Sequence, residues 1–116
     1  MSRKDFDLSP WDASVWDGKP AGQYCAACLI DENPKGAKKV KDKCHLPVKK
    51  PGSKKYNLRA VFAAAGGRGI TRLKGVSAEA KRKAARRIIS LYRKAGEIAP
   101  ASIYRIAGMK RPTKKK

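Results

Sequence analysis

Ser77-Ala78-Glu79-Ala80-Lys81-Arg82-Lys83-Ala84-Ala85-Arg86-Arg87-Ile88-Ile89-Ser90-Leu91-Tyr92-Arg93-Lys94-Ala95-Gly96 is the stretch on which the fold turns. With residues stepped at the helical angle from Ala80, the side chains of Ala80, Leu91, Ala84, Ala95, Ile88, Tyr92, Ala85 and Ile89 fall within one half-turn, a stripe that needs a core to cover it. Arg82, Arg93, Arg86, Lys83, Lys94 and Arg87 take the other half, and Lys81 strays onto the apolar side. Ser77 is placed to cap the N-terminus, Glu79 sits in the first turn, Arg93 and Lys94 sit in the last, and Gly96 follows as the stop. These signals predict a helix over 78–95 with one buried face and one strongly basic face.

Immediately upstream, Leu58, Val61, Phe62 and Ala65 fall at helical spacing, with Asn57 as N-cap and Gly66 as stop, which predicts a short helix over 58–65. Gly66-Gly67-Arg68-Gly69 permits a tight backbone path; it follows a helix and lacks the spacing of a phosphate-binding loop, so it reads as a connector. Downstream of Pro100, Ile103, Ile106 and Ala107 predict one more docked helical turn. The basic end, Lys110-Arg111-Pro112-Thr113-Lys114-Lys115-Lys116, reads as a tail without fixed structure unless it binds something.

Toward the N-terminus, the apolar run Tyr24 to Ile30 lies between Gly22 and the turn-forming cluster Asp31 to Gly36. With Cys44 to Val48 it predicts a small antiparallel hairpin over 24–48. Its lysine-rich connection, Lys38 to Lys43, would project into solvent, and Pro47 would hold the second strand at a sheet edge. Residues 1–22, rich in Asp, Ser, Pro and Gly, read as an irregular arm pinned by Trp11 and Trp16. The expected fold is therefore α+β and mostly helical: the arm 1–22, a single compact domain over 23–108, and a basic tail over 109–116. A chain of 116 residues and 12.7 kDa has room for one modest core and not for a separate catalytic domain.

The charge is concentrated. Of 29 Lys and Arg and 9 Asp and Glu, residues 1–42 hold seven of each sign, so the formal net charge of +20 belongs to residues 43–116, where Glu79 and Glu97 face 22 bases. Such a field attracts polyanions, and phosphates would relieve its self-repulsion. The candidate nucleic-acid-binding residues are Arg82, Lys83, Arg86, Arg87, Arg93 and Lys94 on the long helix, Lys49, Lys50, Lys54 and Lys55 in the turn Lys49-Lys50-Pro51-Gly52-Ser53-Lys54-Lys55, and Arg68 in the connector. A solvated face that only aids solubility is the alternative reading of the same residues. No run of about 18 apolar residues exists to span a bilayer. The charged start, Met1 to Ser9, does not read as a secretory leader, and the large share of alanine on the apolar helix face argues against a membrane-surface helix.

Three cysteines, two of them in Cys25-Ala-Ala-Cys28, do not suggest a disulfide framework and fit a reducing compartment. Cys25, Cys28, Cys44 and His45 together offer four ligands for a zinc ion. Opposing this, the neighbours Ala26, Ala27, Leu29 and Ile30 look like core, and in a strand residues 25 and 28 point to opposite faces. Buried structural cysteines without a cofactor are the expectation, with zinc as the alternative. One histidine, and no paired carboxylates in the basic region, leave no catalytic constellation, so no enzymatic activity is expected.

In order along the chain, Trp11-Asp-x-Ser14, Ala27-Cys-Leu-Ile-Asp31, His45-Leu-Pro-Val48, Leu58-Arg-Ala-Val-Phe-Ala-Ala-Ala65, Gly66-Gly-Arg-Gly69 and the helix from Ser77 to Tyr92 resemble a small domain of tailed phages and prophages. That domain is often attached to prohead (head-maturation) proteases or to other head proteins. The resemblance spans most of residues 11–95 and is carried by ordinary residues rather than a catalytic signature. The relatives generally lack the full set of cysteines at 25, 28 and 44, and no protease portion accompanies the domain here. The resemblance implies a phage or prophage setting, either the cytoplasm of a bacterial host or the virion, with DNA or RNA and the capsid or a head protein as possible partners. On sequence the expected function is non-enzymatic nucleic-acid binding with low sequence specificity. A structural virion protein docked on the head and a small zinc-stabilised regulator stand as alternatives.

Overall fold

Asn57 and Ser77 start the two helices that organise the core. The computed structural model describes residues 5–66 and 69–112. The Asn57 side chain accepts from the Ala60 amide at 3.0 Å and that of Ser77 from the Ala80 amide at 3.1 Å, each satisfying a donor that the first helical turn leaves unpaired. In chain order the elements are α1 (Ala21–Ala27), β1 (Cys28–Asp31), β2 (Cys44–Pro47), α2 (Leu58–Ala65), α3 (Ala78–Lys94) and α4 (Ala101–Ala107). The fold is α+β: helices around a two-stranded antiparallel hairpin in which Cys28 pairs with Pro47, Ile30 with His45 and Asp31 with Cys44.

The amphipathic reading of α3 holds along the stripe except at its first residue, Ala80, which is half-buried. Ala84, Ala85, Ile88, Ile89, Leu91 and Tyr92 are buried, and they pack with Leu29, Ile30, Val48, Leu58, Val61, Ile70, Ile103 and Ala107 in one core. Lys81, the cation on the wrong side of the wheel, is half-buried and spends its ammonium on the Leu73 carbonyl at 2.8 Å. Gly96 takes a φ of 80°, the left-handed conformation that suits glycine after a helix. Gly69 is needed for a different reason. A Cβ there would lie 2.1 Å from the Ala64 carbonyl oxygen, so the connector passes too close to α2 for any other residue.

Three expectations need correction. Residues 24–27 are helical, not extended, and α1 begins at Ala21, inside the stretch read as irregular arm. Pro20, with φ at −59°, leads into the first turn, and Ala21, Ala26 and Ala27 are strong helix formers. Only from Cys28 does pairing with β2 draw the chain out. The arm is also more ordered than expected: Ala13–Trp16 form a 3-10 turn capped by Asp12, and Asp7 bridges Asn57 in parallel. Finally, the segment after Pro100 is a two-turn helix, burying Tyr104 along with Ile103 and Ala107.

The arm is locked at Asn57, which is fully buried. The Asp7 amide donates to the Tyr56 carbonyl at 2.9 Å and the Leu58 amide to the Asp7 carbonyl at 3.0 Å; the Asn57 side-chain amide donates to the Ser9 carbonyl at 3.1 Å. Phe6, next to Asp7, is buried in the core, Trp16 is buried edge-on to the Tyr24 ring, and Trp11 packs against the core as a half-buried ring. The Trp16 indole donates to the Lys49 carbonyl at 2.9 Å, which fixes the start of the basic turn.

Candidate nucleic-acid interface

The side of α3 that the core leaves free carries Arg82, Lys83, Arg86, Arg87, Arg93 and Lys94, all exposed. Among the described residues none of these six is in an ion pair. Glu79 is the helix's one acid. Two of the arginines are oriented by neighbours. Arg86 donates from Nε to the Ala107 carbonyl at 3.2 Å, placing a cation at the C-terminal end of α4, where the helix dipole favours it. Arg87 donates to the Tyr56 hydroxyl at 2.7 Å. Arg82, Lys83, Arg93 and Lys94 make no side-chain hydrogen bond to any described residue, so their charge faces solvent.

Tyr56 joins the helix to the basic turn. The Lys49 ammonium lies over the same ring, 4.6 Å from its centre, so two cations of distant sequence origin meet on one half-buried tyrosine. Cation and ring quadrupole attract, and the hydroxyl oxygen accepts from Arg87. Lys49 and Arg87 are legible as candidates in the sequence but Tyr56 is not, because nothing local marks a tyrosine that bridges residues so far apart in sequence. Lys50 turns inward, its ammonium 2.6 Å from the Ser9 hydroxyl, so it supports the arm. Lys54 and Lys55 are exposed. Arg68 and Lys114 to Lys116 lie outside the described residues. In the remaining tail, Arg111 donates to the Ala99 carbonyl at 2.9 Å, which ties the chain beyond α4 back to the segment between α3 and α4.

The cysteines form a separate site, on the hairpin. Cys25 and Cys44 are joined in a disulfide with their Cα atoms 5.4 Å apart, which corrects the expectation of unpaired cysteines. The turn from α1 into β1 places Cys25 across from Cys44. Cys28 is free and buried; burial is the main cause that pushes its thiol up to about 12, so it stays protonated at neutral pH. The four-ligand set Cys25, Cys28, Cys44 and His45 is not assembled. Among the described residues, Cys25, Asp31 and Cys44 bring their ligand atoms together, all within 4.8 Å of one another. Asp31 is held well ionised, chiefly by Lys39 and then by the Asn33 amide groups.

Among the described residues, no helix is long and apolar enough to cross a membrane. Comparison with family models, curated proteins and solved structures returns no match to this chain.

Proposed function

We propose that this protein binds nucleic acid, DNA or RNA, without catalysing a reaction and with low sequence specificity. The outer face of α3 would form the centre of the surface, and the 49–55 turn, reached through Tyr56, would widen it. The observation that supports this most is the set of six exposed cations on α3, none ion-paired with a described residue, on a helix whose other face is committed to the core. Like charges at this density repel one another, and a row of phosphates removes that cost while releasing condensed counterions. Arginine and lysine contacts to phosphate position a polymer but carry no base information, hence the low specificity. The phage setting is part of the proposal and rests on the sequence resemblance; in a host cell or a virion, packaged or replicating nucleic acid would be at hand.

The test is fluorescence anisotropy with labelled single-stranded DNA, duplex DNA and RNA over a salt series. If about 6 phosphates are neutralised, the log–log slope on duplex is expected near −5. Weak binding to all three polymers at physiological salt would contradict the proposal.

A further inference from the structure

The side-chain amide nitrogen of Asn33 lies at the centre of four acceptors. It is 2.8 Å from Asp31 Oδ1, 3.2 Å from the Val40 carbonyl oxygen, 3.3 Å from Cys44 Sγ and 3.6 Å from Cys25 Sγ. An amide nitrogen has two hydrogens to offer. Two sulfurs, a carboxylate and a carbonyl therefore surround a position that one NH2 group cannot fully satisfy, and this is the arrangement of donors that suits a thiophilic divalent cation. The disulfide is what prevents such use, since neither sulfur carries a negative charge while the bond stands.

We propose that Cys25, Cys44 and Asp31 form a zinc site that exists only in the reduced protein, so that the hairpin is clasped by a disulfide in one redox state and by a metal ion in the other. Two molecules of a small thiol supply two electrons to the S–S bond. They leave joined to each other as a disulfide, and their two thiol protons pass to the cysteine sulfurs. Zinc binding then expels these two protons and forms two Zn–S bonds. Rotation of the cysteine side chains opens the sulfurs to the separation of about 3.8 Å that tetrahedral Zn–S bonds of about 2.3 Å require. Asp31 provides the third ligand, and Asn33 swings aside to leave the fourth position to the Val40 carbonyl. Two thiolates and a carboxylate bring three negative charges to a divalent ion, and Lys39, already paired with Asp31, balances the excess. Cys28 and His45 have no part in the site.

The experiment compares the full chain oxidised and after anaerobic reduction with a phosphine, each incubated with Zn2+, desalted and analysed for metal, with Co2+ absorption as a second readout. The reduced protein is expected to retain one zinc per chain and to give a thiolate-to-cobalt charge-transfer band, whereas the oxidised protein retains none. Asp31→Ala should weaken zinc binding roughly tenfold or more, while Cys28→Ser and His45→Ala should leave it unchanged. Retention of zinc by the oxidised protein, loss of zinc on Cys28→Ser or His45→Ala, or a reduced chain whose circular dichroism is lost and not restored by Zn2+ would each overturn the proposal. So would a folded reduced chain that holds no zinc.

Discussion

Arg87 and Tyr56 join two parts of the chain through one hydrogen bond of 2.7 Å from guanidinium to phenol oxygen. Because Lys49 rests on the face of the same ring, the basic turn and the basic helix meet at Tyr56, on segments that the core already holds in place.

Removing the ring should therefore weaken polymer binding although Tyr56 carries no charge. A cation–aromatic contact of this exposed kind is worth about 0.5–1 kcal/mol, so Tyr56→Ala is expected to lower affinity about twofold to fivefold in anisotropy titrations. Tyr56→Phe keeps the ring under Lys49 and should lose less. Equal affinity for wild type and Tyr56→Ala would mean that the turn and the helix do not act together.

Asn57 joins the arm, the α2 cap and the hairpin. Its backbone amide donates to the Val48 carbonyl at 2.7 Å, and its side chain serves Ala60 and Ser9. Asn57→Ala removes the helix cap on the Ala60 amide, worth about 1 kcal/mol, and leaves the part-buried Ser9 carbonyl unpaired, at a further cost of about 1–3 kcal/mol. Urea unfolding should show a loss of about 2–4 kcal/mol from these two terms. A variant as stable as wild type would mean that the arm is held elsewhere.

The Cys25–Cys44 bond closes a loop with a sequence separation of 19, for which loop-closure entropy gives about 3 kcal/mol. In metal-free buffer, the double variant Cys25→Ser, Cys44→Ser should be less stable than the oxidised protein by about that amount. In the same oxidised protein Cys28, buried and with its thiol pushed up to about 12, should resist iodoacetamide at neutral pH until the chain unfolds. Rapid native alkylation would contradict its burial.

The carboxylate of Asp7 is held below its ordinary range, first by the Ser9 hydroxyl and then by the Ser9 amide. A carboxylate lowered in the folded state stabilises in full above its unfolded value of about 3.9 and loses that contribution as pH falls through the lower folded value. Stability measured between pH 6 and pH 2 should therefore fall with acid, and Asp7→Asn should flatten the part of the curve below about pH 4. An identical curve for the variant would mean that Asp7 has no part in the acid response.

How much of this was legible depended on how local the signal was. The limits of α2 could be read at Asn57 and Gly66, and those of α3 at Ser77 and Gly96, because caps and helical periodicity act within a few residues. Even the stray Lys81 was legible on the wheel, although its acceptor, Leu73, was not. The run from Tyr24 to Ile30 misled because a short apolar segment carries no period long enough to separate helix from strand, and here it is both in succession. The disulfide, the donor cluster around Asn33 and the Tyr56 bridge depend on chain segments brought together by the fold. No local rule pairs Cys25 with Cys44 or Tyr56 with Arg87.

The most direct test of nucleic-acid binding by α3 uses the four cations whose side chains make no hydrogen bond or ion pair with a described residue. Arg82, Lys83, Arg93 and Lys94, all exposed, would be replaced together by alanine, leaving Arg86 and Arg87 on their structural acceptors. Anisotropy with labelled duplex DNA over a salt series would then compare this variant with wild type, with circular dichroism verifying an unchanged fold. The expected result is a folded variant whose binding is weaker and whose log–log salt slope is shallower by about 3 to 4, close to one unit for each phosphate that is no longer neutralised. A folded variant with wild-type affinity and slope would contradict the proposal, because the charge on the outer face of α3 would then have no part in binding.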